Sequence, residues 1–155
     1  MTTTPVRLHF RKAGDRKQRA PKTTIILADD NCAVLDHVSK MLGKQKGYKV
    51  IAAISDGKFI VSECLRLRSD VIVLDISMAE LNGILVARQL RESGCTAKIV
   101  FLTVHEDVDY VSAAMRAGGS AYVVKSQLSS DLLPAIRAAL SNKPFVSAIV
   151  ADGST

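Results

Sequence analysis

The chain has 155 residues, of which 48% are hydrophobic and 23% are charged, and its formal net charge is +6. This length allows one domain with a proper core but excludes two domains of typical size. No apolar run approaches the roughly 20 residues of a membrane-spanning helix, and the first residues lack the apolar centre of a secretory signal. We therefore expect a cytoplasmic protein with no membrane partner.

The positive charge lies at one end of the sequence. Residues 1–22 contain seven basic side chains against the single acidic Asp15, and residues 23–155 are neutral overall. These first 22 residues show no sustained helical or strand period, which predicts a disordered basic tail. Two interpretations stay open for the tail: a solvated extension, or a weak electrostatic contact with nucleic acid, an anionic surface or an acidic partner.

The cysteines and histidines do not form a recognisable site. Cys32, Cys64 and Cys95 are widely separated and include no Cys-x-x-Cys pair. This pattern predicts reduced thiols that are buried as small hydrophobic side chains, rather than a disulfide frame or a zinc site. The histidines, among them His37 and His105, are scattered, so we expect them to be solvated.

From residue 23 onward, short apolar strands alternate with amphipathic helical patterns. The predicted strands are 24–28, 48–54, 71–74, 98–103 and 121–124. Asp107 is the predicted N-cap of the fourth helix, and Ser129 or Ser130 caps the fifth, which runs to Ser141. Strict alternation implies a parallel sheet with helices on both faces. We predict an α/β, flavodoxin-like, doubly wound (βα)5 fold with strand order 2-1-3-4-5, although the pattern alone allows other doubly wound orders.

Charged and polar side chains mark the ends of four predicted strands. Asp29 and Asp30 follow strand 1, Asp75 follows strand 3, Thr103 ends strand 4 and Lys125 follows strand 5. Because the carboxyl ends of parallel strands meet at one edge, neighbouring strands 1 and 3 bring three carboxylates together. Such a cluster either gains proton affinity or holds a divalent cation. An incomplete set of oxygen ligands suits Mg²⁺, which keeps several waters.

The same edge has the charges that phosphoryl chemistry needs. Thr103 offers a hydroxyl donor and Lys125 an ammonium, which together with a cation can neutralise phosphoryl oxygens on Asp75. Other phosphate chemistries fit less well. The sequence has no Gly-x-x-x-x-Gly-Lys-[Ser/Thr] loop, and Ser77 stands where an aspartate-based phosphatase carries its second carboxylate.

These residues, together with Tyr122 and the loop between Asp75 and Gly83, resemble the receiver domain of two-component response regulators over about residues 23–142. The resemblance implies a phospho-accepting signalling switch in a phosphorelay and not a turnover enzyme. A sensor histidine kinase or a phosphotransfer protein passes a phosphoryl group to Asp75, and the domain slowly hydrolyses it. The Mg²⁺ ligands that the resemblance implies are Asp29, Asp30, Asp75 and the backbone carbonyl of Ser77.

The resemblance also implies how the signal leaves the site. Thr103 turns toward the phosphoryl group while the ring of Tyr122 swings inward, which changes the surface of the fourth helix, fifth strand and fifth helix. Ser77 and His105 occupy positions that tune hydrolysis. The output protein is unknown, and a homodimer through the fourth and fifth helical faces is also implied.

Parts of the sequence are similar to the receivers that precede a LuxR-type helix-turn-helix domain. Val104, Lys125-Ser126 and residues 145–147 carry this similarity. We expect a receiver without that DNA-binding domain, followed by a C-terminal extension at residues 143–155. The alternative is a transcriptional regulator that binds DNA through the basic tail or through an output domain missing from this sequence.

Overall fold

The computed structural model describes residues 21–153, so nearly all of the tail expected at residues 1–22 lies outside the described part of the chain. Within that part, the strands β1 to β8 are Thr23–Ala28, Tyr48–Ile54, Val71–Leu74, Ser77–Met78, Leu81–Asn82, Lys98–Thr103, Ala121–Val124 and Phe145–Val146. The helices α1 to α6 are Cys32–Gly43, Ile60–Leu67, Gly83–Glu92, Val108–Arg116, Leu128–Leu140 and Ala148–Gly153. No helix between residues 21 and 153 combines the length and apolar character needed to cross a bilayer.

Six strands form one parallel sheet in the order β2-β1-β3-β6-β7-β8. The predicted order is confirmed, because β6 and β7 are the fourth and fifth predicted strands. β1 lies directly beside β3, with Ala28 opposite Leu74, so the residues that follow the two strands emerge side by side. The small strands β4 and β5 form an antiparallel hairpin in the loop after β3.

The strands of the sheet centre are buried on both faces. Alternate residues of β1 show this: Ile25 and Leu27 join a hydrophobic cluster with α1 and α5, whereas Ile26 and Ala28 join a second cluster with α2, α3 and α4. This explains why the sequence runs of β1, β3 and β6 are continuously apolar instead of alternating. The helices therefore cover both faces and leave the carboxyl edge of the sheet open.

Two predicted helix caps differ from the structure. α5 begins at Leu128 with Gln127 as its N-cap, so Ser129 and Ser130 lie in its first turn and the prediction that either caps it is wrong. The earlier start follows from burial of Leu128 against the core, which extends the helix toward β7. Asp107 is the N-cap residue of α4, but its side chain makes no capping hydrogen bond.

The three cysteines differ in burial. Cys64 is buried, and burial raises the pKa of its thiol to about 12, while Cys95 is partly buried. Cys32 is exposed, so the prediction of a buried thiol is wrong at this position. It is the first residue of α1, which begins at the open edge of the sheet, outside the packed interior of the described residues.

The C-terminal residues add to the sheet. Phe145 and Val146 of β8 pair in parallel with Ala121 and Tyr122 of β7, and α6 follows directly. We call residues 145–150 the C-terminal strap. The first half of the expected extension at residues 143–155 is thus joined to the receiver fold by strand pairing.

Candidate functional site

Asp75 is held at the open edge of the sheet by its backbone. It follows the fully buried strand β3, its amide donates to the Ala28 carbonyl at 3.0 Å, and only 4% of the residue is exposed. The chain then folds back so closely that a Cβ on Gly83 would lie 1.9 Å from the Asp75 carbonyl oxygen. The amide of Gly83 donates to the Ile76 carbonyl at 2.7 Å. Glycine at position 83 therefore permits the loop that positions Asp75.

Three carboxylates meet beside this loop, and we call Asp29, Asp30 and Asp75 the acidic cluster. One oxygen from each lies within 4.8 Å of the others. Asp29 accepts a hydrogen bond from the Asn31 amide at 2.9 Å, and Asp30 accepts one from the Ala79 amide at 2.7 Å. The carboxylates that follow β1 and β3 therefore lie close together, as the sequence predicts.

Lys125 lies against the two buried members of the acidic cluster. Its Nζ is 2.8 Å from Asp29 Oδ2 and donates to Asp75 Oδ2 at 3.1 Å. Burial and the charge of Asp29 raise the pKa of Asp75, and the attraction of Lys125 only partly offsets them. Burial disfavours the Lys125 ammonium, but the two carboxylates outweigh that cost and raise its pKa. The three groups are therefore electrostatically interdependent.

The acidic cluster fits a divalent cation. Asp29 Oδ2 is buried and has no hydrogen bond from the described residues, although it is paired with the Lys125 ammonium. This Asp29 oxygen and the carboxylates of Asp30 and Asp75 are the kind of hard oxygen ligands that Mg²⁺ prefers. The amide of Ser77 donates to Asp75 Oδ1 at 3.3 Å, so Ser77 adjoins the cluster. The role of its carbonyl as a ligand stays a prediction.

Thr103 and Tyr122, the two residues predicted to switch, both form a hydrogen bond with the backbone of His105. Thr103 ends β6 and is fully buried, and its hydroxyl accepts a long hydrogen bond from the His105 amide at 3.5 Å. Tyr122 is also fully buried, and its hydroxyl donates to the His105 carbonyl at 3.0 Å. His105 therefore connects the end of β6 to the middle of β7.

The side chain of His105 is partly exposed, and it also makes two contacts that the sequence does not predict. Its Nε2 and the Ser77 hydroxyl share a hydrogen bond, and its ring stacks on Tyr110 of α4 with 4.0 Å between centroids. The sequence reasoning missed Tyr110. The available signal was an aromatic residue in the first turn of α4, close in sequence to a histidine in the preceding loop. Val104 points outward, with 62% of its surface exposed.

The geometry agrees with comparisons to known proteins. The family model described as the response regulator receiver domain matches residues 25–137. The chain belongs to this family. Its structure is also similar to that of a solved response regulator. The two-component response regulator of the LuxR family from Aurantimonas sp. SI85-9A1 superposes with a TM-score of 0.80 at 27% sequence identity, and the match covers 84% of this chain and 94% of that chain.

Curated relatives give the same family. The response regulator UvrY of Escherichia coli strain K12 is 29% identical over 128 residues, which is 83% of this chain and 59% of UvrY. The oxygen regulatory protein NreC of Staphylococcus epidermidis strain RP62A is 29% identical over 123 residues, or 79% of this chain and 56% of NreC. The chain thus spans less than two thirds of the length of these relatives. The predicted receiver domain, a signalling switch of two-component systems, is confirmed.

Proposed function

We propose that Asp75 accepts a phosphoryl group from a sensor histidine kinase or a phosphotransfer protein. The observation that carries this proposal is the Lys125 ammonium, which contacts both Asp29 and Asp75 beside the acidic cluster. A buried carboxylate with a movable cation next to it can take on added negative charge without leaving that charge unpaired.

In the proposed transfer, a carboxylate oxygen of Asp75 attacks phosphorus as the bond from phosphorus to the donor imidazole nitrogen breaks. The electron pair of that bond stays on the nitrogen, which takes up a proton. Lys125 follows the negative charge from the carboxylate to the phosphoryl oxygens, and the Thr103 hydroxyl donates to one of them. Slow hydrolysis returns Asp75 to its starting state, so the domain serves as a switch and not as a turnover enzyme.

The proposed cofactor is Mg²⁺, which supplies positive charge next to the phosphoryl oxygens when it is bound. The residues that would hold it are Asp29, Asp30, Asp75 and the backbone carbonyl of Ser77. The hydrogen bonds from the Asn31 and Ala79 amides support this assignment, because they fix the orientation of the carboxylates at the cluster.

The proposed switch runs through His105. When the Thr103 hydroxyl turns toward the phosphoryl group, the long hydrogen bond from the His105 amide is lost, and the carbonyl that binds Tyr122 can move with it. The change reaches the surface of α4, β7 and α5, where an output protein or a second copy of the chain would bind. The Ser77 and His105 side chains bridge two loops at the site, which supports their proposed role in setting the rate of hydrolysis.

Intact mass spectrometry after incubation with acetyl phosphate tests the proposal. We expect the wild type to gain the mass of one phosphoryl group in the presence of Mg²⁺ and to gain none with EDTA. Asp75→Asn should gain none under either condition. A matched control is Asp36→Asn, which removes an exposed carboxylate paired with Lys40 and should leave the gain unchanged. An unmodified wild type, under conditions that modify another receiver, would contradict the proposal.

A further inference from the structure

The C-terminal strap is attached to the part of β7 that carries the proposed switch. The Ser147 amide donates to the Tyr122 carbonyl at 3.0 Å, and the Val124 amide donates to the Ser147 hydroxyl at 3.0 Å. Ser147 is fully buried. The strap is therefore hydrogen-bonded to Tyr122 itself and to the residue directly before Lys125.

The strap also closes the hydrophobic cluster around Tyr122. Val150 is only 2% exposed and belongs to the same cluster as Tyr122, Phe101 and Ala114 of α4. The rings of Phe101 and Tyr122 lie 6.4 Å apart between centroids. Tyr122 is thus enclosed by its own sheet, by α4 and by the strap, and this burial raises the pKa of its hydroxyl.

Without the strap, β7 would be the edge strand of the sheet, because β8 is the neighbour on its outer side. An aromatic side chain on an uncovered edge strand can rotate toward solvent, whereas a neighbouring strand and a buried valine remove the space for that rotation. Moving the Tyr122 ring outward would also leave an unfilled space in the hydrophobic cluster that it shares with Val150, which costs free energy.

We propose that the C-terminal strap is a lock that holds Tyr122 in its buried position. The lock itself needs no phosphoryl group. Its consequence for signalling rests on the proposed function: if phosphorylation of Asp75 acts on Tyr122, strap docking and phosphorylation must influence each other to the same extent, by thermodynamic linkage. Because the strap favours the inward ring, its release should reduce the steady-state level of phosphorylation.

Tyrosine fluorescence tests the lock directly, because the chain has three tyrosines and no tryptophan. In a Tyr48→Phe, Tyr110→Phe background, the remaining fluorescence comes from Tyr122. Val150→Asp should release the strap by placing a carboxylate in the core, whereas Ala148→Asp adds the same charge at an exposed position of α6. Quenching by acrylamide then reports the exposure of Tyr122.

We expect Val150→Asp to raise the quenching constant severalfold and Ala148→Asp to leave it unchanged. Equal quenching in both variants would overturn the proposal. If Val150→Asp does not fold, Ser147→Ala is the second test of the lock. This variant removes the hydroxyl that accepts from the Val124 amide, and it should still raise the quenching constant. An unchanged constant would overturn the proposal. Intact mass with acetyl phosphate on the same samples separates the two proposals, since a wild type that takes up no phosphoryl group contradicts only the proposed function.

Discussion

The acidic cluster contacts Lys125, which directly follows β7, and the C-terminal strap pairs with β7 itself, but different forces hold the two contacts. Lys125, just after β7, is paired with two carboxylates that repel each other. The strap, beside the middle of β7, is held by backbone pairing and by buried apolar side chains. The first arrangement changes when a proton or a cation arrives, and the second does not. One strand thus carries a charge-sensitive end and a packed middle.

This difference indicates how the receiver fold remains stable although its site contains buried carboxylates that repel each other. Buried like charges destabilise a protein unless they are paired, and the acidic cluster has one ammonium for two buried carboxylates. The continuous apolar strands β1, β3 and β6 supply the stability that offsets this cost. Variants at the two regions should therefore differ in how much they change the free energy of unfolding and in whether that change depends on pH and Mg²⁺.

The largest loss of stability should come from Gly83→Ala. The added Cβ would collide with the Asp75 carbonyl, and we expect a loss of about 3 kcal/mol in the free energy of unfolding. Gly43→Ala is the control, because outside the backbone of its own helix and its chain neighbours no described atom lies within 4 Å of a Cβ at that position. Urea unfolding of both variants measures the difference. Similar stabilities would mean that the loop after Asp75 has room for a Cβ at position 83.

Lys125→Met should cost about 2 kcal/mol at neutral pH, because it leaves Asp29 and Asp75 buried without their ammonium partner. The loss should shrink at acidic pH, where protonation removes one of the repelling charges, and it should shrink when Mg²⁺ is added. Thermal unfolding across pH, with and without Mg²⁺, measures both effects. A loss that is independent of pH and Mg²⁺ would contradict a charge-controlled site.

Ser147→Ala gives the contrasting result at the strap. Loss of the hydroxyl leaves the buried Val124 amide without its acceptor, at a cost of about 1.5 kcal/mol. The cost should be the same at acidic and neutral pH and with or without Mg²⁺, and Ser129→Ala on the exposed side of α5 should show no loss. Chemical unfolding under the four conditions is the measurement. A strong Mg²⁺ dependence would show that the strap and the acidic cluster are not separate.

The smallest change should be a gain in stability from Asp75→Asn. The folded-state pKa of Asp75 is raised, so folding favours its neutral form, and the cost of ionisation is absent in acid and complete once the pH exceeds that pKa. The variant should therefore gain up to about 1 kcal/mol over wild type as the pH rises from about 4 to neutral. Unfolding free energies at several pH values, without Mg²⁺, test this. If the variant is less stable than wild type at neutral pH, the predicted gain in stability is wrong.

The sequence predicts the sheet well because its central strands are continuous apolar runs that are bounded by polar or charged residues. Two examples are Ile25 to Ala28 and the run before Asp75. The alternation of such runs with helices predicts a doubly wound parallel sheet, and the observed order is one of the orders that this pattern allows. β8 has only Phe145 and Val146, too few residues for a recognisable period, and its pairing with Tyr122 depends on the tertiary fold.

Side-chain partners were harder to predict than strand ends. The acidic residues and Lys125 follow separate strands, and sheet geometry alone predicts that they meet. The stacking of His105 on Tyr110 depends on how one loop enters α4, which no periodic pattern encodes. Burial of Leu128 likewise outweighed the capping preference of Ser129, because packing contributes more than a single cap.

The most direct measurement is the location of the phosphoryl group after reaction with acetyl phosphate and Mg²⁺. Reduction of the acyl phosphate with borohydride, followed by peptide mass spectrometry, marks the modified carboxylate. We expect the mark at Asp75, beside the Lys125 ammonium, and at neither Asp29 nor Asp30. A mark on another residue, or none in wild type under conditions that label another receiver, would contradict the assignment of Asp75 as the phosphoacceptor.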